Sequence, residues 1–104
     1  MNAEDIRIYA LQKENVTEGF PFGEDTLVFK VNNKMFLLVA LNNIPLTINV
    51  KCDPDKAIQL REEYVNKILP GYHMKKSHWN TLLAESIKSD LVKGMIDDSY
   101  QLVG

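Results

Sequence analysis

Cysteine is nearly absent from this chain, and its single thiol, Cys52, excludes an internal disulfide. One unpaired thiol fits a reducing compartment. Long apolar runs are missing too. The longest, residues 35–41, falls far short of the roughly 20 residues a membrane helix needs. The start, Met1-Asn2-Ala3-Glu4-Asp5, is acidic and has no apolar stretch behind it, which argues against a secretion signal. Cytoplasmic placement without membrane attachment is the expectation. There is no Gly-rich phosphate loop and no nucleophile elbow. Charge excess is small, a net −2, whereas a DNA-coating protein is usually basic; this counts against nucleic acid as a ligand and requires any such site to be a local cationic patch.

What is present describes a globular chain. A hydrophobic fraction of 45% beside 25% charged residues is too apolar for disorder. The 104 residues suit one domain spanning 1–104 with one core.

The punctuation along the chain is legible. Asn2 with Asp5 three residues on imitates a capping box, and Ile6, Tyr9, Ala10 and Lys13 follow helical spacing up to Asn15. Phe20-Pro21-Phe22-Gly23 breaks that pattern. Leu27, Phe29 and Val31 then alternate with polar or smaller neighbours, as a strand does. Asn32-Asn33 makes a hairpin turn, since asparagine tolerates positive φ. Residues 35–41 form the return strand, Asn42-Asn43 a second turn, and residues 46–51 a third strand.

Asp53-Pro54 starts a helix, with a carboxylate as cap and proline at the first turn. Ala57, Leu60, Arg61, Tyr64 and Ile68 mark one face of it, and Pro70-Gly71 ends the unit. Residues 72–74 and 80–84 read as two more strands. Ser89 caps a last helix with Val92, Met95, Ile96, Ser99, Leu102 and Val103 on its buried side. The order α-β-β-β-α-β-β-α predicts a two-layer α+β fold: three helices on one face of a mostly antiparallel five-stranded sheet.

Such an arrangement leaves one sheet face uncovered. The third strand turns Thr47, Asn49 and Lys51 toward it. The second strand is apolar throughout, so either Met35, Leu37, Val39 and Leu41 or Phe36, Leu38 and Ala40 look the same way. A contiguous apolar patch in water usually marks an interface.

The densest chemistry lies in residues 70–81, which hold Tyr72, His73, Lys75, Lys76, His78, Trp79 and Asn80. Ammonium groups suit phosphates, aromatic faces stack on unpaired bases, and an amide reads a base edge. The other reading of the same residues makes Tyr72 and Trp79 core anchors at strand ends and the lysines a solvated turn. Other constellations are weaker. Cys52 precedes a helix N-terminus, which lowers a thiol's pKa, and His73 or His78 would be its base, yet nothing in the spacing brings them together. Cys52, Asp53, His73 and His78 offer metal-donor atoms at no standard spacing. Cys52 reads better as a small buried hydrophobe and Asp97-Asp98 as a solvated helix face.

Phe20-Pro21-Phe22-Gly23, Val28-Phe29-Lys30-Val31 with Lys34-Met35-Phe36, Lys51-Cys52-Asp53-Pro54, and Pro70-Gly71-Tyr72-His73-Met74 with Lys76 and His78-Trp79-Asn80-Thr81 closely resemble the MmcQ/YjbR family of small bacterial proteins. Ser99-Tyr100 with Leu102-Val103 is similar to the family's C-terminal end. The resemblance runs over nearly the whole chain in the same order. It implies an α+β fold similar to secretion chaperones and a DNA-binding role through a double-wing motif. The family's signature falls on Lys51, Cys52, Asp53, Arg61, Pro70, Gly71, Tyr72, His73, Met74, Lys76, His78, Trp79 and Asn80. Ser77 stands where a basic residue is usual, Lys75 where asparagine is common, and Asn33 replaces the hairpin glycine.

The expectation is therefore a non-enzymatic binding module with no cofactor and no metal. Its nucleic-acid site would use Lys51, Arg61, Tyr72, His73, Lys75, Lys76, His78, Trp79 and Asn80. Two alternatives stand beside it. One is a protein partner or homodimer, docked on the uncovered face or a sheet edge. The other is a small-molecule or catalytic site around Cys52, His73 and His78.

Overall fold

The computed structural model describes residues 1–71 and 74–104. Helix α1, Ala3–Leu11, opens on the expected capping box: Asn2 accepts from the Asp5 backbone, and the Asp5 side chain accepts from the Asn2 backbone. The helix ends at Leu11, earlier than its spacing predicts. Asn15 then takes a φ of 63°, turning the chain into a strand, β1, Val16–Gly19. No alternation marks β1, because only Val16 of its four residues is apolar. Strands β2, Thr26–Val31, and β3, Lys34–Ala40, form the expected hairpin, with Asn32 and Asn33 at φ 50° and 66°. Strand β4, Thr47–Lys51, leads into helix α2, Pro54–Glu63, whose cap Asp53 accepts from the Lys56 backbone.

Helix α2 stops short of Ile68. Asn66 turns at φ 66°, and Ile68 opens a strand, β5, Ile68–Pro70. The strand expected over 72–74 falls largely outside the described residues; Met74, the part within them, is a bend. Strand β6, Trp79–Leu83, a short 3-10 turn, Ala84–Ser86, and helix α3, Ser89–Val103, complete the chain. Lys88, not Ser89, is the cap residue of α3, and no side chain caps it. Leu102 is exposed, whereas Val92, Met95, Ile96 and Ser99 are buried as expected.

Among the described residues the sheet has six strands, in the order β1-β2-β3-β4-β6-β5, all antiparallel. Two of the six were not expected: β1, which shows no periodicity, and β5, whose Ile68 continues the helical spacing of α2. On one face lies the main core. Ile6 and Ala10 of α1 and Val92, Met95 and Ile96 of α3 meet Phe29, Leu37, Val39, Ile48, Val50 and Leu82 there. Tyr9 ties the two helices, its hydroxyl donating to Asp97 at 2.7 Å. That bond keeps the phenol protonated and pushes its pKa up to about 12.

A second, smaller cluster joins Val28, Leu38 and Trp79 with Met35 and Met74, and it contains no helix residue. It sits on the opposite face. A bulge divides β3 between the two faces. The pairing shifts between Phe29–Leu37 and Lys30–Met35, leaving Phe36 as the extra residue. Neither apolar set expected of this strand survives whole. Phe36, Leu37 and Val39 enter the main core, while Met35, Leu38 and Ala40 face the other way.

Candidate functional site

The face without helices is read from register. Thr26 lies across from Ala40, Ala40 from Thr47, Leu38 from Asn49, and Asn49 from Thr81. One outward step along β4 from Asn49, about 7 Å, Lys51 lies across from Trp79. Lys30 lies across from Met35 and Thr17. These outward strand positions carry lysine and no carboxylate. Glu18, the one acid within a strand, is on the helix side, where Arg7 bonds it at 2.8 Å through two nitrogens and holds its carboxyl below the usual range.

A groove of about 580 Å³ runs over this face. Leu38, Ala40, Thr47, Asn49 and Thr81 form its floor. Phe22, from the turn after β1, stands at one wall, and Leu69, Pro70 and Met74 at the other. Phe22 is 64% exposed, an unusual state for an aromatic. The floor is hydrogen-bonded within itself. Thr81 Oγ1 donates to Asn49 Oδ1, and Asn43 Nδ2 donates to Thr47 Oγ1 at 2.8 Å. Sequence reasoning placed Thr47, Asn49 and Lys51 here but missed Phe22 and Met74. Their position depends on how two distant loops fold back over the strands, and neither loop has a periodic pattern.

The nine predicted contact residues divide. Lys51 faces outward, beside the groove. Lys75 and Lys76 are exposed on the turn between β5 and β6. Among the described residues no carboxylate lies within ion-pair distance of Lys30, Lys51, Lys75 or Lys76. Arg61 has a positioning role: its guanidinium donates to the Lys76 carbonyl at 3.1 Å and pins that turn to α2. His78 is half-buried. Its backbone N–H donates to Lys75 at 3.0 Å, its carbonyl accepts from the Cys52 N–H at 2.7 Å, and its ring meets the Ser77 hydroxyl at 2.8 Å.

Trp79, only 8% exposed, has little ring face left for stacking. Asn80 is 1% exposed and turns to the helix side, where Nδ2 donates to the Ala57 carbonyl at 3.4 Å, away from any base edge on the open face. Tyr72 and His73 lie outside the described residues. Gly71 is needed for a close approach. A Cβ there would stand 2.7 Å from the Trp79 Cβ, and the Gly71 N–H donates to the Trp79 carbonyl at 2.9 Å.

Cys52 is 7% exposed, and burial pushes its thiol pKa up, with nearby Lys56 opposing the shift. The thiol form is a poor nucleophile. Cys52 should accordingly react with a thiol reagent at least about 10-fold more slowly in the folded chain than in denaturant. Labelling kinetics check this, and equal rates would restore a reactive-thiol site. Among the described residues no three His, Cys, Asp or Glu side chains are grouped to hold a metal ion. No helix among them is long and apolar enough to cross a membrane.

The family model named YjbR matches residues 11–102. The chain belongs to the YjbR family. Within it, the chain is 38% identical over 102 residues to the uncharacterised protein YbdF of Escherichia coli O157:H7, covering 96% of this chain and 82% of that one. The crystal structure of the Deinococcus radiodurans protein DR2400 superposes with a TM-score of 0.92 at 34% identity, over 98% of this chain and 78% of the other. A Pseudomonas syringae protein of known structure superposes with a TM-score of 0.81 at 27% identity over the full length of both. The YjbR fold thus agrees with the two layers described above, and none of these relatives' names assigns an activity.

Proposed function

We propose that the open sheet face binds nucleic acid. The observation that carries this reading is charge segregation. In a chain of net −2, the outward strand positions hold no carboxylate. Lys30 and Lys51 stand there, with Lys75 and Lys76 on the adjoining turn. Unpaired ammonium groups on one surface attract a polyanion by releasing its counterions.

The contact set differs from the one read in the sequence. Lys51, Lys75 and Lys76 remain as phosphate contacts and Lys30 joins them. Arg61 and His78 hold the turn, while Trp79 supports it from beneath.

The test is binding of short DNA at two ionic strengths. Four phosphate contacts predict that affinity falls on the order of 100-fold between about 50 and 200 mM salt. Lys51→Glu combined with Lys75→Glu and Lys76→Glu should remove binding while leaving the circular dichroism spectrum unchanged. No binding at low salt, or binding indifferent to salt, would end this reading.

Exposed Phe20 and Phe22 favour a protein partner as a second reading. A second copy of this chain suits the face poorly, since a two-fold contact would set lysines against lysines. Strand addition is also weak: edge strand β5 has three residues and ends in proline, and the other edge, β1, has four and carries a charge at Glu18. A monomer in sedimentation at low salt is the expected result.

A further inference from the structure

We infer that the groove on the open face seats an unpaired base, so that the ligand is a single strand rather than a duplex. This deepens the nucleic-acid reading and rests on it. The groove's volume, about 580 Å³, falls among sites that enclose small organic groups, about 300–1,000 Å³. A surface that only follows a phosphate backbone needs no such recess.

The polar groups of the floor have a definite sense. Asn49 Oδ1 is occupied by the Thr81 hydroxyl, which leaves the Asn49 amide N–H groups without a partner among the described residues. Thr47 Oγ1 accepts from Asn43, which leaves its own hydroxyl hydrogen to donate. Both are donors, and both sit in a recess with an apolar lining from Leu38, Ala40 and Met74. Base edges carry ring-nitrogen and carbonyl acceptors that match them. In a duplex those bases are stacked and paired, and entering a recess would require flipping one out. In a single strand they are already free.

The walls agree with this assignment, and a cation stands beyond Asn49, away from the exposed Glu24 and Asp25 of the turn between Phe22 and Thr26. Phe22 offers an exposed aromatic ring at the groove's edge, the sequence-tolerant platform on which unpaired bases stack. Lys51 is one outward position beyond Asn49, about 7 Å along the strand, so a phosphate flanking the seated base meets a cation.

The experiment compares a labelled single strand with a blunt duplex of the same sequence by fluorescence anisotropy at low salt. It uses the wild-type chain, Phe22→Ala and the groove-filling Ala40→Leu. The expected result is single-strand affinity at least about 10-fold above duplex. Each variant should lose about 10-fold on the strand, within the range for one stacked base, and nothing on the duplex. Phe22 lies in an exposed turn, so its variant decides the matter should Ala40→Leu fail to fold.

Equal affinity for strand and duplex, with neutral variants, overturns the base-seating inference and leaves nucleic-acid binding intact. Absence of binding to either ligand overturns the reading beneath it as well. A free mononucleotide competing as well as the strand overturns the commitment to a strand.

Discussion

Replacing Ser99 by alanine is expected to cost about 2–6 kcal/mol of stability, a large share of the total for a domain of this size. The reason lies in the β3 bulge. Phe36 is the extra residue there, so it and Lys51 drop out of the β3–β4 pairing that begins at Leu37 and Val50. Their backbone groups are met by α3 instead. The Ser99 hydroxyl donates to the Phe36 carbonyl at 2.6 Å and accepts from the Lys51 N–H at 2.8 Å. Ser99 is fully buried, and alanine would strand both groups, each at about 1–3 kcal/mol. Denaturant unfolding measures the loss. A cost under about 0.5 kcal/mol, the level of an ordinary surface change, would mean the bulge satisfies itself in another way. Because the same bond anchors the Lys51 backbone, Ser99→Ala should also weaken the DNA binding proposed for this face.

Trp79→Ala is expected to be similarly severe, about 3–5 kcal/mol, as for other large aromatics cut from a core. Trp79 packs with Val28 and Leu38 and supports Met35 and Met74. A midpoint of thermal unfolding lowered by about 4–8 °C per kcal/mol would register the change. Trp79→Phe should recover most of the stability and leave affinity for DNA in place. The opposite pattern, normal stability with lost binding, would make Trp79 a stacking residue and the burial argument wrong.

The parts of this fold legible in the sequence are those set by local chemistry. Asn2 with Asp5, Asn32-Asn33 and Asp53-Pro54 each place a boundary through short-range hydrogen bonds or tolerated φ angles, and each appears where read. Alternation set the faces of β2 and β4 correctly for the same reason.

What escaped depends on partners remote in sequence. Strand β1 is short and polar and is a strand only because β2 pairs with it. Ile68 continues the helical spacing of α2, but the chain has already turned at Asn66. Strand β3, apolar at nearly every position, carries no internal sign of which face each residue takes, so its bulge was unreadable.

The candidate site was legible in part. Lys51, Lys75 and Lys76 carry charge that burial would make costly, so exposure was a safe expectation. Trp79 and Asn80 do not announce a side. Their orientation follows from the register with β4, and that register turned the Asn80 amide inward beneath α2.

The division between the faces makes the molecule an electric dipole. The helices carry eight acids, Glu4, Asp5, Asp55, Glu62, Glu63, Asp90, Asp97 and Asp98, against four cations, Arg7, Lys56, Arg61 and Lys93, while the bare strands present lysine without acid. A polyanion drifting toward it would feel repulsion from behind and attraction in front, so the field itself would rotate the molecule before any touch. Collisions in the wrong orientation would be rejected early, and a near-neutral molecule would still associate quickly in dilute salt.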